Sequence, residues 1–240
     1  MDENTLNVIE EKSATLTLKM KSLTNSLLLL FLFTLVGHHT YGQEGNTNPN
    51  DTDHLLPLRP QFGIFKKYNQ KIEDVLFSGI SDFQFTKFIS EPSFGAESVL
   101  VIEMDTANLN YPTFSILYHA AKSSIWYSLN DKASKEIIVE KFRKSISMED
   151  AKKIADLYSA ALDKVRENNR FGLDGVSYEF ATMTQAGRAW LPGSPKNENK
   201  IERLIQLNKE FIELIKKGGK RFQLSDELLD RIDTLTIAFK

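Results

Sequence analysis

The chain has 240 residues, 41% hydrophobic and 26% charged, with a formal net charge of -2. That is the make-up of an ordinary globular protein, and so small a net charge supplies no single-sign field for nucleic acid or an anionic membrane surface. The sequence contains no cysteine, which excludes thiol nucleophiles, disulfides, zinc ribbons, iron–sulfur clusters and a lipoprotein anchor.

Residues 1–19 carry four acids against two lysines and fit no signal n-region, so they read as an upstream extension with Met20 as the true start. Residues 20–42 have the layout of a secretory signal peptide. Lys21 is the basic element, Leu27 to Val36 the apolar run, and Gly42 the small residue before a cut at Gln43. Ten residues are too few for a bilayer helix, which needs about 20, and an uncleaved anchor is the alternative. The expected product is periplasmic or secreted and has no membrane span after cleavage.

Residues 43–60 are rich in Asn, Asp, Thr and Pro. They lack the glycine and closing glutamate of a calcium loop and read as a solvated polar linker. Residues 61–240 then suit a single domain.

Tyr68 to Ile80 has a helical spacing of apolar residues. Residues 83–89 alternate as a strand with Phe83, Phe85 and Lys87 on one face, and 98–104 form a continuous apolar run fit for a central strand. Residues 114–120 and 124–129 read as a hairpin, and 136–146 as a further strand. At Ser147 the period changes. Ser147 caps a helix that has acids in its first turn and an apolar stripe down to about Glu167.

Residues 171–195, "FGLDGVSYEFATMTQAGRAWLPGSP", concentrate turn chemistry. Asp174 and Gly175 turn the chain into a strand whose Val176, Tyr178 and Phe180 share a face, and a partner segment ends at Trp190 and Pro192. Ser194 and Pro195 fit the start of a helix over 195–217, which Gly218 and Gly219 stop. The basic run Lys216, Lys217, Lys220 and Arg221 then suits a solvated helix end, so no nucleic-acid partner is expected. Ser225 opens a third helix, and 234–239 either extends it or turns to strand. Strands first and helices later predict an α+β fold, a mainly antiparallel sheet with two or three amphipathic helices packed on one face.

The segments "FGLDGVSYEF" and "GRAWLPGSP", with the helix before them, resemble a group of uncharacterised exported proteins of Gram-negative bacteria. That group has an LDG-x-x-Tyr-x-Phe hairpin and a Gly-x-x-Trp-x-Pro segment before a terminal amphipathic helix. The resemblance covers about residues 136–217 and implies this layout but no reaction. Val176 and Leu191 stand where the group has Thr and Ser.

No nucleophile elbow, metalloprotease helix, phosphate loop or dinucleotide fingerprint occurs, so no cofactor is expected. A serine triad would have to draw on His119 or His54. His119 lies opposite Phe114, Ile116 and Tyr118 on its strand and so faces solvent or packs singly. Glu103 with Asp105, or Asp174 with Glu179, are the carboxylate pairs that a glycan hydrolase would use. Against that enzyme stands a non-catalytic binding module for a ligand or for another envelope or secreted protein. Its candidate anchors are Trp126, Tyr127, Tyr178, Arg188 and Trp190, residue types that dominate interfaces when exposed and cores when buried.

Overall fold

The computed structural model describes residues 53–105, 112–129, 136–167, 174–194, 196 and 199–240. The expected extension, signal peptide and cleavage site, together with Phe171, Leu173 and Pro195, lie outside the described residues. Among those described, six strands and five helices follow one another. They are α1 (Ile64–Leu76), β1 (Gln84–Pro92), β2 (Ser98–Asp105), β3 (Thr113–Ala121), α2 (Ile125–Ser128), β4 (Val139–Ile146), α3 (Met148–Leu162), β5 (Val176–Thr182), β6 (Ala186–Leu191), α4 (Lys200–Lys216) and α5 (Asp226–Phe239).

The strands form one antiparallel sheet in the order β4-β3-β2-β1-β5-β6, so the expected mixed α+β fold is present. Alternation along β2 shows how its faces are used. Leu100 and Ile102 join a core with α3, α4 and α5, while Val99 and Val101 join a second cluster with Tyr68, Ile72 and Leu76 of α1. Helices therefore lie on both faces rather than one. The three long C-terminal helices cover the main core, and α1 with the short α2 covers part of the other side.

Local chemistry explains the helices. Ser147 and Ser225 accept the backbone N–H of Asp150 and Leu228, as N-caps with two acids each in the turn they open. Residues 234–239 belong to α5. The expected start of α4 at Ser194 and Pro195 is corrected, because Asn199 caps it by accepting from the Glu202 N–H. Its C-terminal carbonyls meet a buried cation, with Lys144 donating to Leu214 O and Lys217 O at 2.7 Å each.

Three further expectations fail. Residues 124–129 are not the second arm of a hairpin, since β3 pairs with β2 and β4 and residues 125–128 form α2. An extra residue in β1 shifts its register between Gln84 and Thr86. Phe85 therefore packs on the main core, while Lys87 faces Phe77 and Glu73 beside α1. Nor is the polar stretch 43–60 solvated to its end. Leu55 is fully buried in the main core, and Leu56 exchanges two backbone hydrogen bonds with Arg188 of β6. Gly187 makes room for this. A Cβ there would lie 2.9 Å from Val165 Cγ2 and 3.2 Å from Leu55 Cβ.

Candidate functional site

The hairpin expected over 174–190 forms, and its register decides what each residue can do. Tyr178 pairs with Ala189 and Phe180 with Gly187, on the face toward α3 and α4. Tyr178 is buried and stacks on Phe88, with ring centroids 5.6 Å apart, and burial pushes its phenol up to about 12. It is a core residue rather than a binding anchor. Ser177 pairs with Trp190 and Glu179 with Arg188, which puts both remaining candidates on the opposite face. Trp190 therefore does not brace α3 and α4 beside Tyr178. Its indole lies against Gly175, where a Cβ would come within 2.9 Å of Trp190 Nε1 and 2.2 Å of Leu191 O.

Trp126 opens α2 at the same end of the sheet. The Glu97 carboxylate, fully buried, acts as the cap that a side chain at Ser124 does not supply. It accepts from Ile125 N at 2.7 Å, Trp126 N at 3.0 Å and Tyr68 OH at 2.8 Å. Four donors, counting Ser124 Oγ at 3.3 Å, satisfy a charge that would otherwise be costly to bury. Burial above all, then the negative charges of Glu91 and Glu97 and the hydrogen bond to Glu97, raise the Tyr68 phenol pKa.

Around this cap the aromatic side chains reach solvent. Trp126 stacks on Phe65 at 5.6 Å and meets Tyr68 edge-on at 5.1 Å. Phe62 and Phe94 are each 76% exposed, Tyr127 57% and Phe65 55%. Tyr127 OH donates to Ser93 O at 3.4 Å, and Ser93 N donates to Gly175 O at 2.8 Å. This chain of contacts joins the α1–α2 aromatics to the β1–β2 turn and to the Trp190 end of the hairpin. The sequence pointed to Trp126, Tyr127 and Trp190 but not to the phenylalanines of the rim. Phe62 and Phe65 stand together at the start of α1 and Phe94 in the β1–β2 turn, two segments with no shared period.

Next to the rim on the same sheet face sits a charged group. Glu179 lies opposite Arg188 on β6 and Ile89 on β1, so Glu91, two residues beyond Ile89, is its diagonal neighbour. Burial, then repulsion from Glu179 and Glu97, pushes the Glu91 carboxyl up to about 8. Burial also raises Glu179, against the pull of Lys87 and Arg188. Arg188, a candidate anchor, is partly buried, and its Nε is enclosed without a hydrogen-bond partner.

The expected carboxylate pairs do not assemble as catalytic pairs. Glu103 is buried and committed to Arg143 at 2.7 Å and to Ser81 N at 2.9 Å, while Asp105 ends its strand exposed. Asp174 is an exposed turn residue, and Glu179 has Glu91 as its acidic neighbour instead. His119 is buried against α1, its Nδ1 2.6 Å from Leu76 O, and burial lowers its pKa. It packs singly and does not face solvent. His54 is buried as well.

A groove of about 720 Å³ runs between α3 and α5, lined by Lys153, Asp156, Asp163 and Asp233 among others. A smaller hollow of about 200 Å³ lies by Lys87 and Thr182. Among the described residues, no group of three or more His, Asp or Glu is placed to hold a metal ion. No helix of the described residues is long and apolar enough to cross a membrane. No protein-family model, curated protein or solved structure matches the chain.

Proposed function

We propose that this is an exported, non-catalytic binding module that captures another envelope or secreted protein through its aromatic rim. The observation that carries the reading is the set of aromatics more than half exposed beside α2: Phe65 stacks on Trp126, Phe62 precedes it in the same segment, and Tyr127 reaches Ser93, the neighbour of Phe94. Rigid aromatic side chains lose little conformational freedom on binding and supply most interface hot spots. The signal-like run at 20–42 supports export, and mass spectrometry of the exported protein should find Gln43 at the N-terminus.

The experiment is capture from an envelope extract by the immobilised mature protein, set beside the variants Phe94→Ser and Tyr127→Ala. The wild type should retain a partner that each variant loses. Because the substituted positions are exposed, the folding stability of both variants should stay within about 0.5 kcal/mol of wild type. A partner that both variants keep would place the interface elsewhere.

A further inference from the structure

The half of the sheet face beyond α1 carries polar groups that do not satisfy one another. Apolar packing under α1 draws on Ile89, Val99, Val101 and Ala121 of β1 to β3, and no residue of β5 or β6 belongs to that cluster. On β5 and β6 this face instead presents Ser177, Glu179, Arg188 and Trp190, with Glu91 beside them on β1. Directly opposed side chains on neighbouring strands start about 5 Å apart, near enough for Arg188 to reach Glu179. Yet among the described residues neither Glu91 nor Glu179 makes a hydrogen bond or ion pair, and Arg188 Nε is shut from solvent with no acceptor. Buried donors without acceptors are rare in folded proteins and call for a missing partner.

The missing partner has to donate to the Glu179 carboxylate, accept from the Arg188 guanidinium, and either accept from or donate to the Glu91 carboxyl. A hydroxyl both donates and accepts. Glu91 on β1 and Arg188 on β6 flank β5, so the polar groups span two strand spacings, about 10 Å. The α-ammonium and α-carboxylate of an amino acid sit on a single carbon and by themselves span only part of that width. A saccharide presents hydroxyls around each ring, together with an apolar C–H surface that fits an indole.

We propose that Glu91, Glu179, Arg188 and Trp190 form a saccharide-binding subsite. Ring hydroxyls bridge the carboxylates to the guanidinium, and a sugar C–H face rests on Trp190. The charge balance agrees with a neutral ligand. Lys87 and Arg188 offset Glu73 and Glu179, and a raised pKa keeps Glu91 protonated near neutrality. This subsite is separate from the aromatic rim, and its success or failure leaves protein capture by the rim untouched.

The test is titration of the full-length protein with cellopentaose, maltopentaose, xylopentaose and chitopentaose, read by calorimetry and by the Trp190 indole N–H resonance. At least one sugar should bind with a Kd of about 1 mM or tighter. Glu179→Gln and Arg188→Gln, with unchanged circular dichroism, should each weaken that binding at least tenfold. If either variant fails to fold, the wild-type spectrum decides, since the shift on saturation must fall on Trp190. The proposal is overturned if no sugar in the panel saturates, or if binding survives both substitutions. It is equally overturned if the shift bypasses Trp190, or if glycylglycine binds in place of every sugar.

Discussion

The two faces of the β5–β6 hairpin are built from alternate residues of the same few positions, and they have opposite chemistry. Toward α3 and α4, Tyr178, Phe180 and Ala189 are 2%, 0% and 5% exposed and sit among Phe88, Tyr158 and Leu55. One residue away along each strand, Ser177, Glu179, Arg188 and Trp190 are only partly buried and face no helix core. Period-2 alternation alone produces the difference, because a strand with one face on a core leaves the other free for polar groups. The dry face secures the hairpin, and the wet face is thereby free to carry side chains that serve something other than stability. The same division appears in the helices. Those on the main core bury continuous stripes, whereas Phe62 just before α1 and Phe65 in its first turn stay in solvent.

The largest expected effect tests the dry side. Phe180→Ala should cost about 3–5 kcal/mol, since a fully buried ring is removed between Phe88 and Tyr158. Urea unfolding monitored by circular dichroism would measure it. A loss under about 1 kcal/mol would mean that the hairpin does not pack on α3 as described.

The next effect tests how the wet side is held in place. Glu97→Ala removes the acceptor shared by Tyr68 OH, Ile125 N and Trp126 N, and it should cost about 2–3 kcal/mol. Glu97→Gln keeps an acceptor of the same shape and should cost roughly half as much. Equal losses for the two variants would show that α2 does not depend on this cap.

Much of this layout was legible in the chain itself, for local reasons. Ser147 and Ser225 cap helices because a hydroxyl followed by acids and an apolar stripe satisfies the first turn without outside help. Asp174 and Gly175 lead the chain into β5 for a local reason too, Gly175 having a φ of 146°, while the hairpin itself closes through residues 183–185. What escaped notice depended on distant partners. Residues 124–129 alternate like a strand, yet a carboxylate 28 residues upstream of Ile125 turns them into α2. Leu55 and Leu56 are hidden in a polar stretch, and distant partners draw them into the fold, Arg166 and the main core for Leu55 and Arg188 for Leu56. The site was half legible. Trp126, Arg188 and Trp190 stood out by residue type, but the face of Trp190 follows from the hairpin register, and Glu91 becomes a neighbour of Glu179 only through the β1–β5 pairing.

The smallest expected effect lies on the wet side and has a sign fixed by the Glu91 environment. Its carboxyl rises from the ordinary value of 4.5 to about 8, chiefly by burial and then by the nearby Glu179 and Glu97, against Arg188 and Lys87. Between those two values the folded protein keeps a proton that the unfolded chain has released. Stability from this group is therefore complete below 4.5, declines as pH rises through the window, and is flat above about 8. Because the side chain keeps partial contact with water, the decline should be on the order of 1 kcal/mol. His119 works in the opposite direction, since its lowered pKa makes stability fall as pH drops below the ordinary value of 6.5. The two are separated by subtraction. Urea midpoints of wild type and Glu91→Gln should diverge in slope between about pH 5 and pH 8, with the variant losing less stability as pH rises. Parallel pH profiles for the two proteins would mean that Glu91 is solvated and ionised in the fold, and that this face is no drier than the surface around it.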